Sequence, residues 1–435
     1  MDQNNDMDGP LVNRAAFLLI ASLALGLPLA TAAADRPVRT VAVVDPLGPG
    51  PFRTIQSALD SLAAESAETR IIRIRPGVYA EKIYITKRHV ALVGEDRERT
   101  RIVYPELRRI WRQTHPDDWG AAVINIGDTV SDVVIANLTV HNNYGSLHGD
   151  HDHQFAIRSG GAATRLSLIS VNAIADGGDT VSLWNTATGL YYFADSYFEG
   201  HVDFVCPRGW CYTTDSRFFG HNTSASIWHD GNLFPDSKFV IRNSRFDGIP
   251  GFALGRNTRD GQFFLVDSFF SKNMADKPIY QAPGTATFRW PLRAYFAGSE
   301  REGGLLPWLA DNLHTAPGAP RREQIDAAWT FDGRWDPEEA LPSGILPAPA
   351  IPRPGDRASV APGAIRLRWL ASRDATRYEV RFGDTKTPPV IARVTLPEAP
   401  EVALTAGRLY YWRVDAVTKT GKRVPGPLWS FTTIP

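Results

Sequence analysis

Residues 192–200 read YFADSYFEG, and the pattern returns as YTTDSRFFG at residues 212–220 and as VIRNSRFDG at residues 240–248. Each copy is a short run of β-branched and aromatic residues that is broken by Asp-Ser or Asn-Ser, and the break recurs every 20 to 28 residues. Such alternating runs are typical of strands, and a repeat of this length with one small unit per repeat is typical of a solenoid. Few hairpin signals such as Asn-Gly separate the runs. The sequence therefore predicts an all-β fold in which coils of strands stack as a parallel β-helix.

The repeats lie in the segment 35–336, which we expect to form the β-helix. Before it, residues 1–34 contain Arg14, an apolar run over residues 15–30, and several small residues after the run. This order is typical of a cleaved signal peptide and predicts a periplasmic or secreted protein. The run is shorter than the roughly 20 residues that a membrane span requires, so we expect no membrane span. Residues 52–64 (FRTIQSALDSLAA) have apolar residues at helical spacing and predict a helix that covers the open end of the solenoid.

The composition changes after residue 336. Residues 337–354 are rich in proline, which predicts a semi-rigid linker. Residues 355–435 carry short alternating strands and resemble a fibronectin type III module, with Trp369 on an early strand, a tyrosine-rich strand that opens at Leu409, and the ending Trp-Ser-Phe-Thr-Thr. This resemblance implies a small β-sandwich that acts as a spacer or docking surface and has no catalytic role.

Charge and composition restrict the partners. The 435 residues include 47 Lys and Arg and 47 Asp and Glu, so the formal net charge is zero. A nucleic-acid partner would require a basic surplus, and we expect none. The 12 Trp, 13 Tyr and 21 Phe offer faces for sugar rings, although packing in the core accounts for most of them.

Two sets of potential metal or redox residues have simpler interpretations. Cys206 and Cys211 are close enough to form a small-loop disulfide in an oxidising compartment, with two reduced and buried thiols as the alternative. They lack the additional ligands of a zinc site. Five acidic and histidine side chains also stand close together: His148, Asp150, His151, Asp152 and His153. Neighbouring residues on one loop rarely converge on one ion, so we expect an edge of a substrate site here, and neither a metal nor a cofactor.

Three polar residues of the repeat region fall one coil apart. Gln154, Asp179 and Asp203 are separated by 25 and 24 residues. Residues one coil apart in a parallel solenoid lie about 4.8 Å from each other, so these side chains should form a column. Two carboxylates at that distance repel, and one of them holds a proton more readily while the other stays ionised. Arg256, about two coils after Asp203, would orient one carboxylate, and Trp228 lies on the coil between them. Asp is also common at β-helix turns for purely structural reasons.

The chain resembles the pectin methylesterase family over about residues 39–340. The shared motifs are FRTIQSA (52–58), GVYAEKI (77–83), LVGE (92–95), HQFAIR (153–158), GHVDF (200–204) and LGR (254–256). The resemblance implies a right-handed parallel β-helix that acts on pectin as a monomer, without a metal or a cofactor. It implies that Asp203 is the nucleophile, Asp179 the general acid and base, Arg256 the residue that orients the nucleophile, and Gln154 a donor to the oxyanion.

Three short segments depart from the family pattern. Gly178 stands where the family has a glutamine before the acid/base aspartate, Cys206-Pro207 follow the nucleophile, and Asn257-Thr258 replace the usual Pro-Trp. The loss of one oxyanion donor costs about 3–4 kcal/mol in the barrier. Either the role passes to Gln154, to a backbone N–H, or to a nearby side chain such as Trp184 or Arg208, or the enzyme is slow.

We expect five residues to line the substrate site: His153, Trp184, Arg208, Trp228 and His229. The function predicted first is hydrolysis of galacturonate methyl esters in pectin. The alternatives are an esterase for another acyl group or for a branched pectin, and a glycan-binding β-helix without turnover. A pectate lyase would need a calcium-binding acidic cluster, which the spacing does not present.

Overall fold

The computed structural model describes residues 37–230, 234–282 and 288–435, so the predicted signal peptide lies outside the described residues. From residue 69 onward the chain passes in turn through three parallel sheets, once per coil, as the repeat predicted. No helix in the described ranges is long and apolar enough to cross a membrane.

The three sheets of the β-helix run side by side along its length. The first sheet has ten strands: Val38–Val44, Thr69–Ile74, Val90–Gly94, Ser131–Ala136, Thr164–Ile169, Leu190–Ala194, Trp210–Thr214, Phe239–Arg242, Gln262–Val266 and Arg293–Ala297. The second sheet has nine: Gly77–Tyr79, Thr100–Val103, Thr139–Asn142, Asn172–Ala175, Tyr197–Gly200, Arg217–Gly220, Arg245–Gly248, Phe269–Phe270 and Glu300–Arg301. The third sheet has eight: Ile83–Ile85, Ala122–Ile126, Phe155–Ser159, Val181–Leu183, Val205–Pro207, Ala225–Trp228, Ala253–Asn257 and Tyr280–Gln281.

The repeated Asp-Ser and Asn-Ser pairs form the turn between the first and second sheets. The first residue of each pair is left-handed, with φ between 47° and 54°: Asp195, Asp215, Asn243 and Asp267. Asp and Asn tolerate this conformation better than most residues with a Cβ. The serine that follows is buried, and its hydroxyl accepts a backbone N–H from the preceding coil, as Ser216 Oγ does from Ser196 at 3.2 Å. The pattern therefore recurs because every coil requires the same turn.

An aromatic ladder fills part of the interior. The second sheet points one phenylalanine inward from each of four successive coils, in register: Phe198, Phe218, Phe246 and Phe270. The ring centroids of Phe218 and Phe246 are 4.3 Å apart, and those of Phe246 and Phe270 are 5.3 Å apart. Because the coils are in register, phenylalanine side chains of successive coils stack on one another inside the solenoid.

The predicted N-terminal helix is present but shorter than residues 52–64. It spans Ile55–Asp60, with the Thr54 side chain as its N-cap. Ile55 and Leu59 pack into the interior of the β-helix. The Glu81 carboxylate, from the GVYAEKI motif, accepts the N–H groups of Ile55 and Gln56 at 2.8 and 3.1 Å. Seven further short helical segments are described: Arg108–Trp111, Tyr144–His148, Pro307–Leu309, Leu313–Thr315, Arg322–Gln324, Ala327–Thr330 and Pro337–Ala340.

Residues 337–354 are not a free linker, which corrects the prediction from composition. Leu341, Ile345 and Leu346 are buried in an apolar cluster that includes side chains from the outer face of the first sheet. The Leu346 carbonyl accepts the N–H of Arg373 at 2.7 Å, so the segment is also tied to the C-terminal module. Proline content predicts stiffness, but the apolar residues between the prolines decide where the segment lies.

The C-terminal module consists of two sheets around one core. One sheet has the strands Ala350–Arg353, Gly363–Leu370 and Glu398–Leu404, and the other has Ala358–Val360, Ala375–Gly383, Val390–Val394, Leu409–Thr418 and Arg423–Thr433. The pairing is antiparallel except between the strands that contain residues 358–360 and 431–433. Trp369, Trp412 and Trp429 are all buried in the core.

Candidate active site

A column of outward-facing side chains crosses the third sheet. The register places five residues above one another on successive coils: Arg158, Ser182, Cys206, Trp228 and Arg256. The residues between them, such as Val181 and Val205, point into the interior, because side chains alternate along a strand. Sequence reasoning missed Ser182 and the role of Cys206 as a small outward residue. The one-coil spacing from Arg158 is the signal that would have found both.

Asp179 and Asp203 each lie two residues before a strand of this sheet. Val181 pairs with Val205, so the two aspartates are one coil apart, at about 4.8 Å along the stack. Their φ angles are 61° and 49°, the same left-handed conformation that the Asp and Asn residues of the other turns have. Asp179 and Asp203 are only 4% and 2% exposed. The predicted carboxylate pair is therefore assembled and shielded from water.

Arg256 holds the Asp203 carboxylate. Its Nε donates to both carboxylate oxygens at 3.0 and 3.1 Å, and Nη2 donates to Oδ2 at 2.5 Å. Burial raises the pKa of Asp203 to about 6, with Arg256 acting in the opposite direction and Asp179 adding to the rise. Asp203 is consequently ionised at neutral pH, and the arginine fixes the orientation of its oxygens.

Asp179 has no comparable partner. Burial raises its pKa as well, and the charge of Arg208 opposes the rise. Within the described ranges its side chain accepts one hydrogen bond, from the Cys206 thiol at 3.8 Å. Because only Asp203 is held by a guanidinium fork, the pair favours a proton on Asp179 and a charge on Asp203.

Gln154 is brought beside the pair, but its amide is engaged elsewhere. The pairing of His153 with Gly178 puts Gln154 level with Asp179. Its side chain is fully buried; Oε1 accepts the N–H of Gly145 at 2.9 Å, and Nε2 donates to the carbonyl of Asp150 at 2.6 Å and lies 3.5 Å from that of Asp176. The side chain therefore holds a loop in place. In this conformation its amide N–H groups are not available for the predicted donation to an oxyanion.

Arg208 lies between two tryptophans over the small residues of the column. Its guanidinium carbon is 3.7 Å from the ring centroid of Trp184 and 4.5 Å from that of Trp228. Nη1 donates to Ser182 Oγ at 3.2 Å and reaches the carbonyl of Cys206 at 3.5 Å. Trp184 is 38% exposed. The structure thus brings together three of the predicted substrate-site residues.

The other two predicted substrate residues differ in position. His229 is fully buried, with Nδ1 2.9 Å from the carbonyl of Pro207 and its ring against Phe239 and Phe263. It cannot flank a sugar, because the residue after outward-facing Trp228 turns inward. His153 remains at the rim, where its ring lies 2.6 Å from the carboxylate of Asp152.

Gly178 is restricted by close contact. A Cβ on this residue would lie 2.9 Å from Val202 Cγ1 and 3.1 Å from the Val202 carbonyl. The glycine does not have the positive φ that was one possible reason for it. The space beside Gly178 is thus partly taken by the neighbouring coil.

The two cysteines do not form a disulfide, and the acidic and histidine residues of the loop 148–153 make other contacts. Cys206 and Cys211 are both free and buried, which is the second of the two alternatives. Asp150 pairs with Arg109, and His151 Nδ1 lies 2.5 Å from the Asp176 carbonyl. Over the residues that the structure describes, no group of three or more His, Cys, Asp or Glu side chains is arranged to hold a metal ion.

Comparisons with known proteins find similarity to pectinesterases over part of the chain. The pectinesterase family model matches residues 41–221, a range that includes both aspartates but ends before Arg256. A pectinesterase from Aspergillus niger is 28% identical over 264 residues, which cover 58% of this chain and 72% of that protein. A probable pectinesterase/pectinesterase inhibitor from Arabidopsis thaliana is 23% identical over 342 residues, which cover 70% of this chain but only 51% of that protein.

Solved structures share the fold. Pectin methylesterases from Aspergillus niger and Erwinia chrysanthemi superpose with TM-scores of 0.54, each at 18% identity and over 70% of this chain, and cover 95% and 99% of those chains. A pectin methylesterase in complex with a hexasaccharide gives a TM-score of 0.56 at 19% identity, over 69% of this chain and 98% of that one.

Proposed function

We propose that this carboxylic ester hydrolase, related to the pectinesterases over residues 41–221, removes methyl groups from galacturonate esters in pectin. The observation that carries the proposal is the pair of buried aspartates one coil apart, of which only Asp203 is gripped by an arginine, Arg256. That difference supplies one charged nucleophile and one carboxylic acid in the same site.

The reaction proceeds in two halves. An oxygen of Asp203 attacks the C6 ester carbonyl carbon, and the carbonyl electrons move to its oxygen. When the tetrahedral intermediate collapses, the bond to the methoxy oxygen breaks and Asp179 gives that oxygen its proton, so that methanol leaves. Asp179, now ionised, takes a proton from water, and the hydroxide attacks the acyl carbon. The bond to Asp203 then breaks, which restores both aspartates and releases galacturonic acid, whose proton passes to solvent to leave galacturonate.

The remaining features of the chain extend the proposal. We assign residues 1–34 to a signal peptide and the protein to the periplasm or the exterior. We assign the C-terminal module to the fibronectin type III class, since its two sheets bury Trp369, Trp412 and Trp429. We expect the protein to act as a monomer.

Methanol release from methylated pectin tests the proposal. The parent should release methanol, and Asp203→Asn should release none while keeping the parent's melting temperature, because an amide is not a nucleophile. Asp179→Asn should also be severely impaired. Turnover of Asp203→Asn within tenfold of the parent would remove this residue from its role. Release of acetate without methanol would assign the site to another ester, and an unsaturated product would assign it to a lyase.

A further inference from the structure

The proposed reaction needs a donor for the oxyanion, and the usual side-chain amides do not supply it here. Gly178 has no side chain, and both ends of the Gln154 amide are bonded to the backbone. A developing negative charge in a water-poor site requires a preorganised donor, and removal of one such donor slows a reaction by about 10²- to 10³-fold. Another group must therefore face this charge if the proposed function holds.

The two tryptophans of the site are not free to donate. Trp184 Nε1 donates to Ser182 Oγ at 3.2 Å, and Trp228 Nε1 donates to Asp230 Oδ1 at 2.6 Å. Each indole has one N–H, so both are already used. Their rings instead form the two walls around the guanidinium of Arg208.

Arg208 has unused donor capacity in the same place. The residue is 3% exposed, and its Nη2 has no hydrogen-bond partner among the described residues. Within those residues it also forms no ion pair with a carboxylate, although its charge acts on both Asp179 and Asp203. A buried charge without a counter-ion is costly. An anion that forms beside it during the reaction would compensate this charge.

The neighbouring Arg158 differs from Arg208, because it has a carboxylate partner. Its Nε also lacks a partner, but its Nη2 lies 3.3 Å from Asp118, and the two form an ion pair. Arg158 therefore has a carboxylate partner, although Arg108 and Arg112 share it. Arg208 is instead held by two aromatic faces and by hydrogen bonds, and it forms no ion pair among the described residues. Rigid placement is what an oxyanion donor needs, because no reorganisation then occurs during the reaction.

We propose that Arg208 is a catalytic residue whose Nη2 donates to the C6 oxyanion, in place of the glutamine that is absent at position 178. This inference rests on the proposed function. The guanidinium stabilises the tetrahedral intermediate of each half-reaction and takes no part in proton transfer. Ser182 and Cys206 are small, which leaves room over the strand for the guanidinium. Trp184 and Trp228 pack on its two faces and restrict the movement of the Arg208 side chain.

A fully methyl-esterified oligogalacturonate tests the role of Arg208, because this substrate has no free carboxylate along the chain for an arginine to bind. Arg208→Met should lower kcat by about 10²- to 10³-fold and leave KM within about threefold, since the interaction forms only in the transition state. The matched control is Arg245→Met. Arg245 is exposed and stacks on Phe269 at 4.2 Å on another sheet, and its loss should leave kcat unchanged.

Chemical rescue supplies a second readout. In Arg208→Ala, millimolar guanidinium chloride should restore part of kcat by entering the slot between the tryptophans, and sodium chloride at equal ionic strength should not. If the Met and Ala variants fail to fold, Arg208→Lys takes their place and should lose kcat at unchanged KM, because a point charge does not reproduce the stacked fork.

The outcomes separate the two proposals. A parent that releases no methanol overturns the proposed function itself. The assignment of Arg208 is overturned if the parent is active and the Arg208 variants keep kcat within threefold, or if these variants only raise KM. The proposed function stands in both cases.

Discussion

Asp203 and Asp179 have the same side chain but different surroundings, and those surroundings separate their roles. Both are buried, and burial raises the pKa of both. Arg256 contacts Asp203 through three hydrogen bonds, whereas Asp179 accepts one from a thiol within the described chain. The two groups interact closely, so the observed pH profile will belong to the pair.

Arg256→Gln should move the acid limb of the kcat/KM profile to higher pH. Arg256 lowers the pKa of Asp203 against the effect of burial, which leaves it at about 6. Without that charge the pKa rises further, and the nucleophile becomes ionised only at higher pH. The measurement is methanol release between pH 4 and pH 9, and Arg256→Lys, which keeps the charge, should shift the limb less. An unmoved acid limb in Arg256→Gln would contradict the role of Arg256.

Gly178→Gln should lower kcat, even though it adds an amide donor next to Asp179. Its Cβ would lie 2.9 Å from Val202 Cγ1, and Val202 directly precedes Asp203. The side chain would therefore displace the nucleophile's own turn. Gly161→Gln is the matched control, because nothing lies within 4 Å of a Cβ there and its φ is not positive. A gain in kcat for Gly178→Gln would show that the site lacks a donor, and it would count against Arg208.

At the scale of elements, the coils were predictable because each repeats one local requirement. The left-handed turn selects Asp or Asn, and the buried position after it selects Ser, so both appear in the sequence at the coil period. The same period located Asp179 and Asp203. It did not show that Gln154 is turned into the loop, because side-chain partners such as Gly145 and Asp150 come from a loop without a repeat.

The aromatic ladder should be a main source of stability for the coils. Phe246 is fully buried and stacks between Phe218 and Phe270. Phe246→Ala should lower the free energy of unfolding by about 3–5 kcal/mol, since it leaves a cavity in a close-packed interior. Phe269→Ala, on the outward side of the neighbouring strand that carries Phe270, should cost less than about 1 kcal/mol. Equal losses in denaturant unfolding of the two variants would contradict the ladder's role.

At the scale of the whole molecule, the β-helix and the C-terminal module share a covered surface. Tyr192 on the first sheet donates to Glu338 at 3.2 Å, and Glu338 pairs with Arg353 at 2.9 Å. Arg353 belongs to the first strand of the module. The composition did not reveal this contact, because a proline-rich sequence has the same composition whether it is exposed or packed. One partner on the first sheet, Arg73, is 271 residues away in sequence from Gly344.

Two truncations should distinguish a packed segment from a linker. A chain that ends after Pro342 loses Ile345 and Leu346, which are 0% and 4% exposed against the apolar cluster on the first sheet. A chain that ends after Pro349 keeps both. Because burial of two such side chains stabilises by several kcal/mol, the shorter chain should melt at least about 5 °C below the longer one. Both lack the module and keep every residue of the candidate site, so kcat on soluble pectin should be near the parent's at a temperature where both are folded. Equal melting temperatures would restore the linker interpretation, and a longer chain that is folded but inactive would place part of the catalytic machinery in the module.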